Sequence, residues 1–182
     1  MKKITFIALL FVSLSAFGQN KYLTKTGTLD FEASVPSFEE VAAHNKAVTA
    51  ILNTENGEFA ALALVKGFRF KNALMEEHFN ENYAESDDYP KAIFKGKIDG
   101  FDFNAISKSD SSYNINGSLT FHGVTKDISD ISSTIHLVDG KLILSGNFKV
   151  LVSDYEIEIP KIVANKLSNE VKVDFSFELV KK

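Results

Sequence analysis

Four histidines are the side chains best suited to acid–base chemistry or metal binding in this sequence, which contains no cysteine. They stand singly at His44, His78, His122 and His136, and none forms a His-x-His or His-Glu-x-x-His pair. The lack of cysteine excludes thiolate metal sites, cysteine nucleophiles and disulfides. We therefore interpret the histidines as surface or hydrogen-bonded residues, and we expect no metal ion and no cofactor.

Carboxylates cluster on both sides of His78 in residues 72–89, at Glu76, Glu77, Glu81, Glu85, Asp87 and Asp88. A carboxylate beside an imidazole can hold the ring for acid–base catalysis, and two carboxylates about 5 to 9.5 Å apart can hydrolyse a glycoside. The sequence has neither a Gly-x-Ser-x-Gly elbow nor a glycine-rich phosphate loop. We interpret the acids as a solvated loop and expect no catalytic residues. An enzyme that uses His78 and a nearby acid is the least favoured alternative.

Alternation of apolar and polar residues predicts the elements that would position these side chains. Residues 29–35, 94–98, 101–105, 113–121, 142–152, 155–159 and 171–179 each place apolar side chains on one face, as half-buried strands do. Asn-Gly and Asp-Gly pairs, together with His122-Gly123, predict hairpin turns between them. The predicted fold is all-β, a closed antiparallel up-and-down barrel of about eight strands, because closure removes exposed strand edges.

Two segments interrupt the alternation and predict one or two short helices. Residues 37–45 begin with Ser37-Phe-Glu-Glu40, the spacing of a capping box. Residues 72–83 carry apolar side chains at helical spacing among acids, and we expect them to cover one mouth of the barrel. There, Phe79 would face the interior and the acids would face water.

The N-terminus has the pattern of a secretory signal. Lys2 and Lys3 precede an apolar run, and Ala16-Phe-Gly18 fits a small-x-small cleavage site. The run is too short for a membrane-spanning helix, which needs roughly 20 apolar residues. We expect residues 1–18 to be removed, residues 19–182 to form one domain, and the protein to be periplasmic or secreted without a membrane anchor.

Charge restricts the partners of the exported chain. Residues 1–18 hold two lysines and no acid, so their removal leaves 18 basic and 24 acidic residues, a net charge of −6. No basic surface is then available for nucleic acid or for anionic lipid. A monomer and a homodimer are both compatible with the sequence.

Phenylalanine is abundant, with sixteen copies, while tryptophan is absent. Many of these rings fall on the predicted inward faces, where they would either fill a solid core or line a cavity for an apolar ligand. Glycines at inward positions, Gly96, Gly117 and Gly146, would either remove volume from the barrel or let its strands bend. The residues leave both choices open.

Two segments resemble the YceI-like family of exported, lipocalin-like barrels associated with polyisoprenoid binding. Glu77-His78-Phe79, followed by Asp88-Tyr89-Pro90 and a strand with Phe94, is similar to that family's acidic-His-Leu and Tyr-Pro segment. Residues 113–126, which end in His122-Gly-Val-Thr125, are similar to its His-Gly-Val-Thr hairpin. The chain departs from the family at residues 28–34, where members usually carry a histidine.

The resemblance and the apolar pattern together favour a carrier for a polyisoprenoid, a quinone or a fatty acid derivative held inside the barrel. We expect His78 and Tyr89 near the mouth and six phenylalanines, together with Phe79, in the lining: Phe31, Phe94, Phe101, Phe121, Phe148 and Phe175. The alternative is a non-catalytic structural or stress-response protein with a filled barrel that acts through its surface.

Overall fold

The fold is described by a computed structural model of residues 20–182, so the predicted signal at residues 1–18 lies outside the described residues. Nine strands form one sheet: β1 (Lys21–Ser34), β2 (Ala42–Asn53), β3 (Glu58–Leu64), β4 (Arg69–Phe70), β5 (Lys91–Ile98), β6 (Ser111–Phe121), β7 (Val124–Val138), β8 (Lys141–Leu151) and β9 (Leu167–Lys181). In residues 20–182 there is one α-helix, α1 (Ala73–His78), which continues into a π-helical turn at Phe79–Tyr83. Within the described part of the chain, no helix is both long and apolar enough to cross a membrane.

Eight strands close into the predicted antiparallel up-and-down barrel. The sheet order is β1-β9-β8-β7-β6-β5-β3-β2, and the pairing of β1 with β2 closes it. The two-residue strand β4 adds to β2 at His44 and Ala43, outside this ring of eight. Since the ring has no free edge, the backbone groups of its strands bond to one another instead of to another chain.

The tight turns follow the sequence pattern. His122-Gly123 joins β6 to β7, and Asp139-Gly140 joins β7 to β8. Both residues of each pair have positive φ, between 50° and 78°, which is the geometry of type I′ hairpin turns. Gly57 and Gly100 also have positive φ.

The predicted helix at residues 37–45 is wrong. Ala33 N donates to Val41 O at 2.9 Å, and Val41 N donates to the Ser34 hydroxyl at 3.1 Å, which closes the β1–β2 connection instead. Strand β2 then begins at Ala42, and its alternation buries Ala43 and Asn45. Pairing with β1, which the barrel needs for closure, outweighs the capping pattern.

Two predicted strands, at residues 101–105 and 155–159, do not form: the first contains a 3-10 turn, and the second is irregular chain that follows one. Phe103–Ala105 is a 3-10 turn, begun by Asp102, whose side chain accepts a hydrogen bond from Asn104 N at 2.9 Å. Val152–Tyr155 is another, and Glu156 after it has a φ of 58°, outside the extended region of regular strands. The apolar residues of this segment are nevertheless at least partly buried, as the alternation predicts. Tyr155, Ile157 and Ile159 line the barrel interior, although the segment pairs with no strand.

The barrel is solid at one end and hollow at the other. At the solid end, six aliphatic side chains from five strands are fully buried: Leu52, Ile98, Ile135, Leu142, Leu144 and Leu179. Phe103 packs on Tyr22 there, with ring centroids 5.7 Å apart, and covers that opening. Of the two alternatives, a filled barrel therefore describes one half and a hollow barrel describes the other.

Inward glycines make room for aromatic rings. Gly96 and Gly117 are paired across β5 and β6, and a Cβ on Gly117 would lie 2.7 Å from Phe94 Cζ. A Cβ on Gly146 of β8 would lie 2.7 Å from Phe175 Cζ. The volume that these glycines leave is thus occupied by phenylalanine rings, which pack directly on the backbone.

Candidate binding cavity

The hollow half encloses a cavity of about 420 Å³, within the range of about 300–1,000 Å³ for small-molecule sites. Its wall comes from the inward faces of β1, β3, β5, β6, β8 and β9, with Ile131 from β7. Buried wall residues include Phe59, whose ring packs on Phe94 and on Phe177 at centroid distances of 6.1 and 5.6 Å. This wall is almost entirely apolar, so it suits an apolar chain.

The charged side chains that line the cavity lie at its mouth. Asp30, Glu39, His78 and Lys166 line it and are exposed to solvent, and Ser168 is partly exposed beside them. The mouth therefore offers both signs of charge to a ligand head group, while the interior offers apolar contact.

Helix α1 and its π-helical turn cover part of the mouth, as the sequence predicts. The Asn72 side chain accepts a hydrogen bond from Met75 N at 2.9 Å and begins the helix. Glu76 ties the helix to β4, because its carboxylate accepts from Arg69 Nη1 at 3.0 Å and from Phe70 N at 3.3 Å. The other five acids of this segment are exposed, whereas Phe79 faces the cavity.

Seven of the nine predicted site residues line this one cavity: Phe31, Phe94, Phe121, Phe148, Phe175, His78 and Phe79. Phe148 of β8 and Phe175 of β9 are diagonal neighbours on the inward face, with ring centroids 6.4 Å apart. His78 is exposed at the mouth, so a buried hydrogen bond from its ring does not hold the covering segment in place.

The other two predicted residues lie outside the cavity wall. Phe101 packs on Tyr113 at the solid end, with centroids 6.3 Å apart, because β5 ends there at Ile98 and Phe101 follows the turn at Gly100. Tyr89 packs edge-on against His122 with centroids 4.6 Å apart. Phe101, which was expected in the lining, is therefore misplaced by the sequence prediction, whereas Tyr89 lies beside His122 near the mouth without lining the cavity.

His122 joins three segments near the mouth. Its Nδ1 lies 2.9 Å from the carbonyl oxygen of Tyr155, to which Nδ1–H donates, and its Nε2 lies 3.2 Å from Glu85 Oε2. The imidazole thus connects the β6–β7 turn, the loop after the π-helical turn, and the 3-10 turn after β8. Its φ of 50° belongs to the type I′ turn and directs the ring toward these segments.

Sequence reasoning missed the wall that residues 155–163 contribute. Tyr155, Ile157, Ile159 and Val163 line the cavity from this irregular segment. Burial raises the pKa of Tyr155 to about 12, and the nearby Asp154 carboxylate acts in the same direction. The alternation of residues 155–159 marked the buried positions, but nothing in it distinguishes a strand from a segment that lies along a cavity.

Solved structures with a similar fold are found at low sequence identity. A polyisoprenoid binding domain from Saccharophagus degradans, implicated in plant cell wall breakdown, superposes with a TM-score of 0.78 at 16% identity, covering 91% of this chain and 100% of that one. BcnA from Burkholderia cenocepacia gives 0.67 at 15%, covering 84% and 94%. A YCEI protein from Campylobacter jejuni gives 0.63 at 17%, covering 81% and 88%. At such identities the likeness concerns the fold.

The sequence itself carries the family assignment. A comparison with curated proteins finds no match. The model of the YceI-like domain, in contrast, matches residues 16–179, which include every strand of the barrel up to most of β9. The chain therefore belongs to the YceI-like family.

Proposed function

We propose that the protein is a non-catalytic carrier that holds one apolar small molecule in the hollow half of its barrel. The observation that carries this proposal is the cavity of about 420 Å³, whose wall is largely apolar and whose charged side chains stand at the mouth. An amphipathic molecule would place its chain among Phe94, Phe148 and Phe175, with its polar end toward His78. Burial of the chain supplies roughly 25 cal/mol per Å² of apolar surface.

Three ligand classes fit such a cavity: a polyisoprenoid, a quinone and a fatty acid derivative. The similar Saccharophagus degradans domain is described as polyisoprenoid binding, so a polyprenyl chain is the first to test. Native mass spectrometry of protein from its own host, followed by organic extraction, would identify a bound lipid. Empty protein that also fails to bind any of the three classes in solution would contradict the proposal.

A cavity-filling variant tests the site itself. Ala61 of β3 lines the cavity, whereas its neighbour Ala60 does not. Ala61→Phe should place a ring in the cavity and weaken binding of a neutral fluorescent probe by at least about tenfold, since overpacking leaves no room. Ala60→Phe makes the same change on the outer face and should retain binding. Equal affinities in the two variants would argue for a ligand site elsewhere on the protein.

We also propose that the chain is exported, which the lysines and the apolar run of residues 1–18 support. The mature protein would begin at Gln19 or within a residue or two, and it would fractionate outside the cytoplasm. N-terminal sequencing of protein from fractionated cells tests this. A cytoplasmic product that begins at Met1 would contradict export while leaving the cavity proposal intact.

A further inference from the structure

The cavity ends inside the barrel at a floor of buried side chains. Ile115 of β6, Phe177 of β9 and Phe59 of β3 are the last residues of their strands, in the direction of the solid end, that line it. Each is at most 5% exposed. These three residues are called the floor below.

The residues opposite the floor close the cavity at this level. In the strand registers, each floor residue lies directly opposite a side chain of the solid half: Ile98 opposite Ile115, Leu144 opposite Phe177, and Leu52 opposite Phe59. These three partners are fully buried and do not line the cavity. A close-packed interior leaves no gap as wide as an alkyl chain, so a ligand that enters at the mouth cannot pass through the barrel.

The depth of the cavity limits the length of a bound chain. Its lining extends six positions along β6, from Phe121 to Ile115, and four along β3, from Ala63 to Phe59. At about 3.4 Å per residue and a strand tilt of about 40°, these spans correspond to a depth of roughly 10–15 Å. A fully extended chain advances about 1.2 Å per bond, so it reaches the floor with roughly 8 to 13 carbon atoms.

The volume of the cavity gives a similar limit. Its volume of about 420 Å³ corresponds to roughly 14 groups of about 30 Å³, the volume of one water molecule in the liquid. A methylene group has nearly the same size. Depth and volume together indicate an apolar chain of about 10 to 15 carbon atoms.

We propose that the floor makes the cavity selective for chain length, with the end of an apolar chain of about 10 to 15 carbon atoms against Ile115, Phe177 and Phe59. This inference rests on the proposed carrier function and narrows each ligand class to its short-chain members. For an isoprenoid, these are chains of two or three isoprene units. In a longer polyprenyl chain, the additional units remain outside the cavity and gain no apolar contact there.

A homologous series of ligands tests this proposal. Straight-chain primary alcohols from octanol to octadecanol keep the head group constant, and geraniol, farnesol and geranylgeraniol form a second series. Affinities come from displacement of a neutral aminoanthracene probe. Each methylene group inside the cavity should raise the affinity roughly fourfold. Beyond a chain of about 10 to 15 carbon atoms the gain should cease, because further groups stay in water.

Variants of the floor identify what sets this break in the series. Ile115→Ala removes three carbon atoms from the floor and should move the break to chains about two or three carbons longer. Ile157→Ala makes the same change in the wall segment that joins the mouth ends of β8 and β9, so it should lower affinities without moving the break. Limited solubility of the long alcohols would affect all variants alike.

A second variant keeps the test valid if Ile115→Ala does not fold. Ile131 of β7 lies directly opposite Ile115, lines the cavity and is 3% exposed. Ile131→Ala should therefore also move the break to longer chains.

Two outcomes overturn the inference and leave the carrier function standing. In the first, the affinity of wild type rises steadily up to octadecanol, so the floor does not stop the chain. In the second, the break lies at the same chain length in wild type, Ile115→Ala and Ile131→Ala, so the floor does not set it. If neither the probe nor any alcohol binds to wild type, the carrier function fails together with the inference.

Discussion

Phe31 of β1 and Phe79 of the π-helical turn pack against each other at the cavity mouth, with ring centroids 5.4 Å apart. Phe79 also contacts Phe68 and Phe70, at 6.0 and 5.1 Å. This aromatic cluster joins the covering segment to the barrel, and the strand pairings do not depend on it. Displacing the segment would break these ring contacts and the Glu76 bonds to β4, but none of the pairings that close the barrel.

Removing the ring of Phe79 should loosen the mouth. In Phe79→Ala we expect a faster release of bound probe and a loss of roughly 1–2 kcal/mol in the free energy of unfolding, because the ring is only partly buried. Stopped-flow probe release and urea unfolding measure the two effects. Leu74→Ala, on the same segment but 60% exposed, is the matched control and should alter neither. Unchanged release in Phe79→Ala would mean that the segment does not control the mouth.

The two halves of the barrel should respond differently to truncation. Leu142 is fully buried in the solid half, so Leu142→Ala should lower the free energy of unfolding by about 2–5 kcal/mol and leave ligand binding intact. Phe121 borders the existing cavity and is partly exposed, so Phe121→Ala should cost about 1–2 kcal/mol and weaken probe binding. Urea unfolding and probe titration distinguish them. Equal losses of stability would contradict a hollow half.

Adding a methyl group at Gly117 should strain the sheet. A Cβ there would lie 2.6 Å from Gly96 Cα and 2.7 Å from Phe94 Cζ. Gly117→Ala should therefore destabilise the protein by roughly 1–3 kcal/mol and displace the Phe94 ring toward the cavity, with weaker probe binding. Ser118→Ala, at the next residue of β6, should change stability by less than about 0.5 kcal/mol. Urea midpoints of the two variants give the comparison.

Alkaline pH should destabilise the fold through Tyr155. The folded protein keeps the phenol proton up to a pKa of about 12, whereas the ordinary value is 10.0, so unfolding releases a proton between these pH values and is favoured as pH rises. We expect the free energy of unfolding to fall by on the order of 2 kcal/mol across this window. Burial also raises the pKa of Tyr83, so Tyr155→Phe should reduce this fall without abolishing it. Identical pH profiles for wild type and variant would contradict the assignment.

The alternation of apolar and polar residues predicted the barrel because each strand has one face in contact with solvent and one face in the interior. The alternation of residues 113–121 and 171–179 lies within β6 and β9, and the glycine turns connect β6, β7 and β8 in the expected way. Strand β3 gave no such signal, since Phe59-Ala-Ala-Leu-Ala63 has little contrast between its faces. Its place follows from pairing with β2 and β5, which is a tertiary property.

The sequence predicted which residues face the interior of the barrel, but not which of them enclose the cavity. Inward alternation found most of the phenylalanines that line it, yet it could not show that Phe101 belongs to the opposite end, because the chain direction after Gly100 depends on the turn. His122, recognised by its turn, proved to be the residue that holds the Tyr155 backbone.

The pairing between β1 and β9 limits the order in which the strands of the barrel can assemble. Thr28 of β1 lies opposite Ser176 of β9, 148 positions later in the chain. Contacts between such distant segments form slowly, and until they form, β1 and β8 keep open edges on which other chains could add strands. Val173, Phe175 and Phe177 of β9 are part of the cavity wall. A nascent chain that stops before β9 would therefore have seven strands of the barrel and no enclosed pocket.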